Sequence, residues 1–319
     1  MSASASDEFA SLRQRIERRL TELLPECIEG QTMLGEAVAH SVTAPGKRLR
    51  PLLTVATALD LGGDVAAAID GGCAIEMIHA ASLILDDMPS MDDAHMRRGR
   101  PSTHVSYGED VALLAVVAVL SRAFELVTET ESLNPEQRLR SVRALTKATG
   151  SLGLVGGQFA DLRGGRGPRS EADVARVNAL KTGSLFHAAV EIGAIGSGAA
   201  PEIRAELEAF ARELGLAFQL LDDLLDGGTS ASAIGKDIGK DKGKSTIVSM
   251  IGRSSTGQEI ERHMEKALGH VDAALGPGSR LAHLLAMIGQ AARQEMRPTP
   301  SGEASAEDEG RRDAPAGMQ

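Results

Sequence analysis

Two short stretches of this 319-residue chain place more carboxylates beside apolar residues than such a setting tolerates without a cation. Residues 83–98 read Leu-Ile-Leu-Asp-Asp-Met-Pro-Ser-Met-Asp-Asp-Ala-His-Met-Arg-Arg. An apolar helical run over 76–85 ends in Asp86 and Asp87. Pro89 then stops or bends it, because proline lacks an N–H and its ring clashes with the preceding turn. Asp92 and Asp93 follow, then Arg97 and Arg98. Acids at this density repel one another unless a cation sits among them. Hard divalent ions such as Mg²⁺ take oxygen ligands and usually share them with a substrate phosphate. The competing reading is a solvated acidic helix end. Residues 218–226 weigh against it: Phe-Gln-Leu-Leu-Asp-Asp-Leu-Leu-Asp. Asp222 and Asp226 are one turn apart on one helix face, with Asp223 beside them, in an otherwise apolar segment. Two apolar helices ending in aspartates suggest two walls facing across one metal-filled cavity, as helical bundles build metal sites from facing helices.

Cations recur at four places. Residues 46–51, Gly-Lys-Arg-Leu-Arg-Pro, set Lys47 and Arg50 at the start of a helix. That arrangement suits an anion cradle, or equally an ordinary basic flank. Arg97 and Arg98 follow the first acid cluster. Lys181-Thr182-Gly183 lies in an apolar helical stretch, where a mid-helix glycine costs about 1 kcal/mol and so calls for a packing or functional reason. Residues 235–245 read Gly-Lys-Asp-Ile-Gly-Lys-Asp-Lys-Gly-Lys-Ser. The ending imitates a phosphate-binding P-loop, but Ile238 stands where the motif needs glycine and no strand precedes it. A flexible loop folding its lysines over a bound anion fits better. His79 lies two turns before Asp86 on the same helix face, with Ser82 between them and Ala81 beside it. Acids to hold Mg²⁺ under one diphosphate, and remaining cations to hold a second, describe a site that ionises one diphosphate and keeps the other.

The elements that must position these groups are helices. Hydrophobic residues make up 42% of the chain and aromatics only 2%, so the core must be Leu, Ala, Val, Ile and Met, which suits helices over sheets. Periodicity predicts helices over 9–24, 52–61, 66–85, 107–127, 138–149, 152–162, 171–195, 202–226, 258–275 and 279–296, with no convincing strand and no internal repeat. Residues 1–296 read as one all-α domain, and the Pro-, Gly- and charge-rich 297–319 as a disordered tail. The net charge of −10 disfavours nucleic acid. Cys27 and Cys73 have no metal-like or redox spacing, which points to a reducing cytoplasm. The N-terminus lacks the basic and apolar regions of a secretory signal. The longest apolar run, 111–120, is too short to span a bilayer.

In these motifs the chain resembles the trans-polyprenyl diphosphate synthases, over about residues 45–249. The motifs are 46–51, Asp86-Asp87 through Asp92 with Arg97-Arg98, Lys181-Thr182-Gly183, Gln219 with Asp222, Asp223 and Asp226, and Gly235-Lys236-Asp237. The resemblance implies an isoprenoid-synthase-type helical bundle around a deep central cavity, usually a homodimer. It implies head-to-tail prenyl transfer from an allylic diphosphate (dimethylallyl, geranyl or farnesyl) to isopentenyl diphosphate. The allylic diphosphate would sit on about three Mg²⁺ held by Asp86, Asp92 and Asp222. Arg97, Lys181, Thr182, Gln219 and Lys236 would also grip it. Lys47, Arg50, His79 and Arg98 would hold isopentenyl diphosphate.

The growing chain should run down the wall below Asp86, past Ser82 and Ala81. In this family a bulky aromatic there acts as a floor for a fifteen-carbon product; both residues here are small. That implies geranylgeranyl diphosphate, with farnesyl diphosphate as the alternative. The four residues between Asp87 and Asp92 resemble bacterial and plastid short-chain enzymes. Val116-Val117 stand where relatives often carry Gly-Asp, a departure expected to touch helix packing or the cavity wall. A terpene cyclase is disfavoured by the scarcity of aromatics and the second set of cations. A non-catalytic subunit of a heteromeric synthase is disfavoured by two intact acid motifs.

Overall fold

A computed structural model describes residues 3–163, 170–226 and 247–296. The expectations for Lys236 and the 235–245 loop, for the 297–319 tail, and for the side chain of Asp226 lie outside the described residues. The helices in order are α1 (Ala3–Glu22), α2 (Thr32–Val42), α3 (Leu49–Asp60), α4 (Val65–Asp87), α5 (Thr103–Tyr107), α6 (Glu109–Glu129), α7 (Pro135–Thr149) and α8 (Leu154–Arg163). Then come α9 (Glu171–Asn178), a π-helical turn (Ala179–Gly183), α10 (Ser184–Gly196), α11 (Pro201–Asp226), α12 (Ile247–Ile251), α13 (Arg253–Leu275) and α14 (Arg280–Met296).

The fold is organised around α4. Asp64 caps it by accepting from the Ala67 N–H at 2.9 Å, and Pro89 lies just beyond its end. Between them the helix is apolar on all sides, so it is buried on all sides. α3, α6 and α10 pack around it, and α10 also meets α11. Glycines permit the closest approaches: a Cβ at Gly72 would lie 2.9 Å from Pro51 Cα on α3, and one at Gly193 of α10 would lie 2.6 Å from the Thr54 carbonyl of α3. One continuous apolar cluster runs from Phe9 to Ile288. Each fully buried Ile or Leu in it contributes about 1.5–3 kcal/mol. A smaller cluster, including Leu220, Leu221, Leu224 and Ile260, supports the C-terminal end of α11.

The structure departs from the sequence reading in several places, the short helices α5 and α12 among them. α2 was not anticipated; its buried side is only Ala37, Val38 and Val42, too sparse for a clear periodic signal. A two-stranded hairpin, β1 (Met96–Arg97) and β2 (Arg100–Pro101), stands where no strand was expected. Two paired residues on each side are too few for alternation to show. The predicted 171–195 helix is broken by the π-helical turn. Finally, α4 and α6 are both long and apolar enough to cross a membrane by length and composition, so the 111–120 run understated α6. A search for uninterrupted apolar residues misses a helix whose few polar residues are scattered. In the fold α4 is mostly buried among other helices, α6 less than half.

Candidate active site

The first acid wall is built by a loop that folds back on its own helix. After Pro89 the chain turns so that Asp92 N–H donates to the Asp86 carbonyl at 3.0 Å and Ala94 N–H to the Asp87 carbonyl at 3.1 Å. The five-residue interval from Asp87 therefore returns Asp92 to the side of Asp86. Burial pushes the Asp86 carboxyl up to about 6; Asp92 and Asp87 push the same way, while Lys181 and Arg97 oppose. A cation placed beside it would favour its ionised form. Asp87 behaves differently. It is 3% exposed, and Arg97 Nε donates to its Oδ1 at 2.9 Å while Arg97 Nη2 also bonds it. Burial raises the Asp87 pKa and the Arg97 bond pulls it back. The structure thus sets Asp87 on Arg97, whereas the sequence grouped it with the metal acids and gave Arg97 to diphosphate.

The hairpin turn aims the next cation. Arg98 and Gly99 both have positive φ, 53° and 75°, as a two-residue hairpin turn requires. Arg98 Nη2 comes 3.3 Å from His79 Nε2. His79 is driven well below its ordinary pKa, first by burial and then by Arg50, Arg98, Arg97 and Arg48. It is therefore a neutral imidazole among guanidinium groups. Arg50 stacks over the Phe186 ring with its Cζ 4.7 Å from the centroid. Burial lowers the Arg50 pKa, Glu76 and Asp222 raise it, and Arg98 lowers it again. Lys47 lines an apolar cavity of about 260 Å³ with Phe9, Leu52, Phe218 and Met287.

The second wall is fixed through the π-helical turn. Thr182 Oγ1 donates to Gln219 Oε1 at 2.7 Å, and Gln219 Nε2 donates to Asp223 Oδ1 at 2.9 Å. Lys181 Nζ reaches Asp161 Oδ2 at 3.3 Å. Gly215 of α11 passes close to the turn: a Cβ on Gly215 would lie 3.1 Å from Gly183 Cα, whereas one on Gly183 itself would meet nothing within 4 Å. Such a turn inside an α-helix often marks a functional site. Asp222 is an electrostatic neighbour of Arg50, and Asp86 of Lys181 and Arg97. Arg50 and Arg97 both act on His79. The two acid-bearing helix ends thus share one cluster of cations.

Below the first wall, Ala81 is 1% exposed and Ser82 8%. The Ser82 hydroxyl donates to the His79 carbonyl of its own helix at 2.8 Å, so its polar atom is satisfied within α4. Val116 is buried in the core, but Val117 is exposed with Leu113 and Leu114, so the second of the two departures lies on the outer face of α6 and not on the cavity wall.

Sequence reasoning missed Asp161 and Gln158. They lie on α8, which read only as apolar and glycine-rich. The sequence signal available was a pair of polar residues one turn apart in an apolar helix. Gly157, just before Gln158, lets α8 approach the Lys181 backbone: a Cβ there would lie 2.4 Å from Lys181 N. Gln158 Oε1 and Arg50 Nε are buried without a hydrogen-bond partner among the described residues, an acceptor and a donor that a bound ligand or water would satisfy.

Among the described residues, no three carboxylate, imidazole or thiol groups converge as a ready cage for an ion. Mg²⁺ does not require one, since it keeps waters and takes one or two carboxylates with substrate phosphate oxygens. The all-oxygen donors Asp86, Asp92 and Asp222 fit that ion.

A family model described as polyprenyl synthetase matches residues 31–275. A geranylgeranyl diphosphate synthase from Pantoea ananas is 45% identical over 88% of this chain and 92% of its own length. A farnesyl diphosphate synthase from Geobacillus stearothermophilus is 39% identical over 86% of this chain and 94% of its own. A geranyltransferase from Helicobacter pylori, solved with magnesium and isoprenyl diphosphate, superposes with a TM-score of 0.83 at 26% identity, covering 92% of this chain and 99% of that one.

Proposed function

Because the chain belongs to the polyprenyl synthetase family, we propose that it condenses isopentenyl diphosphate with an allylic diphosphate and makes mainly geranylgeranyl diphosphate. Farnesyl diphosphate is the second reading, favoured by the relative that makes it. One observation carries the proposal: two acid-bearing helix ends share one cluster of cations; the product length is argued from the small side chains of Ala81 and Ser82 about one turn before Asp86.

Asp86, Asp92 and Asp222 would hold about three Mg²⁺ under the allylic diphosphate, with Asp223 and Asp226 on the same helix end. When bound, Mg²⁺ supplies charge neutralisation for the leaving diphosphate. Lys181 and Lys236 would share that load. Thr182 and Gln219 would orient the same group. Charge builds on the departing oxygen as the carbon–oxygen bond breaks, so preorganised cations are worth most there. Lys47, Arg50, Arg98 and neutral His79 would hold isopentenyl diphosphate intact, its alkene turned to the allylic cation. The departed diphosphate can take the final proton, so no side-chain base is needed. The apolar walls of α4 keep water from the cation.

Residues 1–296 act as one domain in this reading. The exposed Leu113, Leu114 and Val117 of α6 support a homodimer, to be measured by sedimentation. The free Cys27 and Cys73 fit a reducing cytoplasm.

The decisive experiment incubates the protein with labelled isopentenyl diphosphate, each allylic starter and Mg²⁺, then separates the dephosphorylated products. A twenty-carbon alcohol should dominate; a fifteen-carbon one would favour the second reading. Ala81→Phe should shift the product to fifteen carbons while turnover persists, and unchanged length would place the floor elsewhere.

A further inference from the structure

Arg48, between the two cations assigned to isopentenyl diphosphate, is turned into the protein interior. It is 4% exposed. Its Nη1 donates to Glu76 Oε1 at 2.8 Å and its Nη2 to the Ala44 carbonyl at 2.6 Å. Its backbone is left-handed, φ 51° and ψ 37°, at the N-cap of α3, a conformation that disfavours arginine. Glu76 is 3% exposed on α4, three residues before His79. It is an electrostatic neighbour of Arg50 and of Arg98 as well. Gly46 adds to the crowding: a Cβ there would lie 3.1 Å from Arg98 Nη1. One buried carboxylate therefore stands beside three guanidinium groups, and only one of them is hydrogen-bonded to it.

We propose that Arg48 is the positioning residue of the isopentenyl diphosphate site: by engaging Glu76 it keeps that carboxylate off Arg50 and Arg98, which stay available for phosphate oxygens. The strained backbone of Arg48 is the conformation that turns its side chain inward while Lys47 and Arg50 keep other directions. Without Arg48, Glu76 is a buried acid with two nearby guanidinium groups to capture. A captured guanidinium competes with diphosphate for the same donors. The proposal rests on the assignment of Lys47, Arg50 and Arg98 to isopentenyl diphosphate, so Lys47→Ala serves as the control for that assignment.

Three variants test it by steady-state kinetics with each substrate varied in turn, alongside thermal melts. Arg48→Met should raise KM for isopentenyl diphosphate about tenfold and leave KM for the allylic diphosphate within about twofold, a shift of the size expected from losing one charged hydrogen bond. Adding Glu76→Gln should bring KM back to within about threefold of the parent, because the competing carboxylate is gone. Arg48→Lys, which keeps the charge beside Glu76, should lie near the parent. An unchanged KM in Arg48→Met, an equal rise for both substrates, or no recovery in a double variant that melts like the parent would overturn the proposal. If Arg48→Met fails to fold, the double variant alone decides: near-parent KM supports it, and a tenfold rise refutes it. Should Lys47→Ala leave KM for isopentenyl diphosphate unchanged, the site assignment itself fails, whatever the Arg48 variants show.

Discussion

The two acid walls are built by opposite means. At the end of α4, Asp86, Asp87 and Asp92 are arranged by their own neighbours: backbone bonds within residues 86–94 and a hairpin that returns Arg97 to Asp87, ten residues away. At the end of α11, Asp222 and Asp223 depend on remote residues: Thr182 through Gln219, and Arg50 on α3. The backbone of the first wall is a local device, shaped by its own loop. The second exists only once α10 and α11 have packed. Chemistry that needs both is therefore switched on by folding and not by either segment alone.

Variants can sharpen or break this contrast. Asp222→Ala should cost the most, lowering kcat about 10³-fold, or about 4 kcal/mol, as for loss of a group that stabilises developing charge. Asp86→Ala should match it; a mild effect at Asp222 would mean that the second wall holds no metal.

The next effect is one of pH and concerns Asp86 in the first wall. The Asp86 pKa rises from 3.8 to about 6 on folding, so the unfolded chain gives up this proton more readily. The associated stability is complete below about pH 4 and is lost as pH climbs through about 6, to a total of at most about 3 kcal/mol at 1.36 kcal/mol per pH unit. The metal-free protein should therefore melt lower at pH 7 than at pH 5, and Asp86→Asn should remove this component of the slope. A slope identical in Asp86→Asn would refute the reading.

Arg97→Lys should come third. Lysine cannot reproduce the guanidinium fork on Asp87, and about 2 kcal/mol of stability should go, read by denaturant midpoint. Thr182→Val should come last. It breaks one bond to Gln219, costing about 1 kcal/mol, and should raise KM for the allylic diphosphate severalfold without touching isopentenyl diphosphate. Equal effects on both substrates would show that the π-helical turn braces the whole site.

Much of the molecule was legible in the chain. Pro89 marks the end of α4, Gly196–Pro201 breaks the chain ahead of α11, and the apolar runs before Asp86 and Asp222 mark both walls as helix ends. The near absence of aromatics foretold an aliphatic helical core. The π-helical turn was not legible, since Lys181-Thr182-Gly183 sits in an unbroken helical pattern. The hairpin at Arg98-Gly99 was hidden by its brevity.

By itself the sequence determined which charges the protein owns, which helices carry them, and that aspartates outnumber any nearby partners at two helix ends. Tertiary structure alone decided the pairing. Asp87 is taken by Arg97, Lys181 by Asp161, and Glu76 by Arg48 rather than by Arg50 or Arg98. The reason is distance. A charge's energy depends on what stands within a few ångströms of it and on how little water intervenes, and neither quantity is written in the order of residues along a chain.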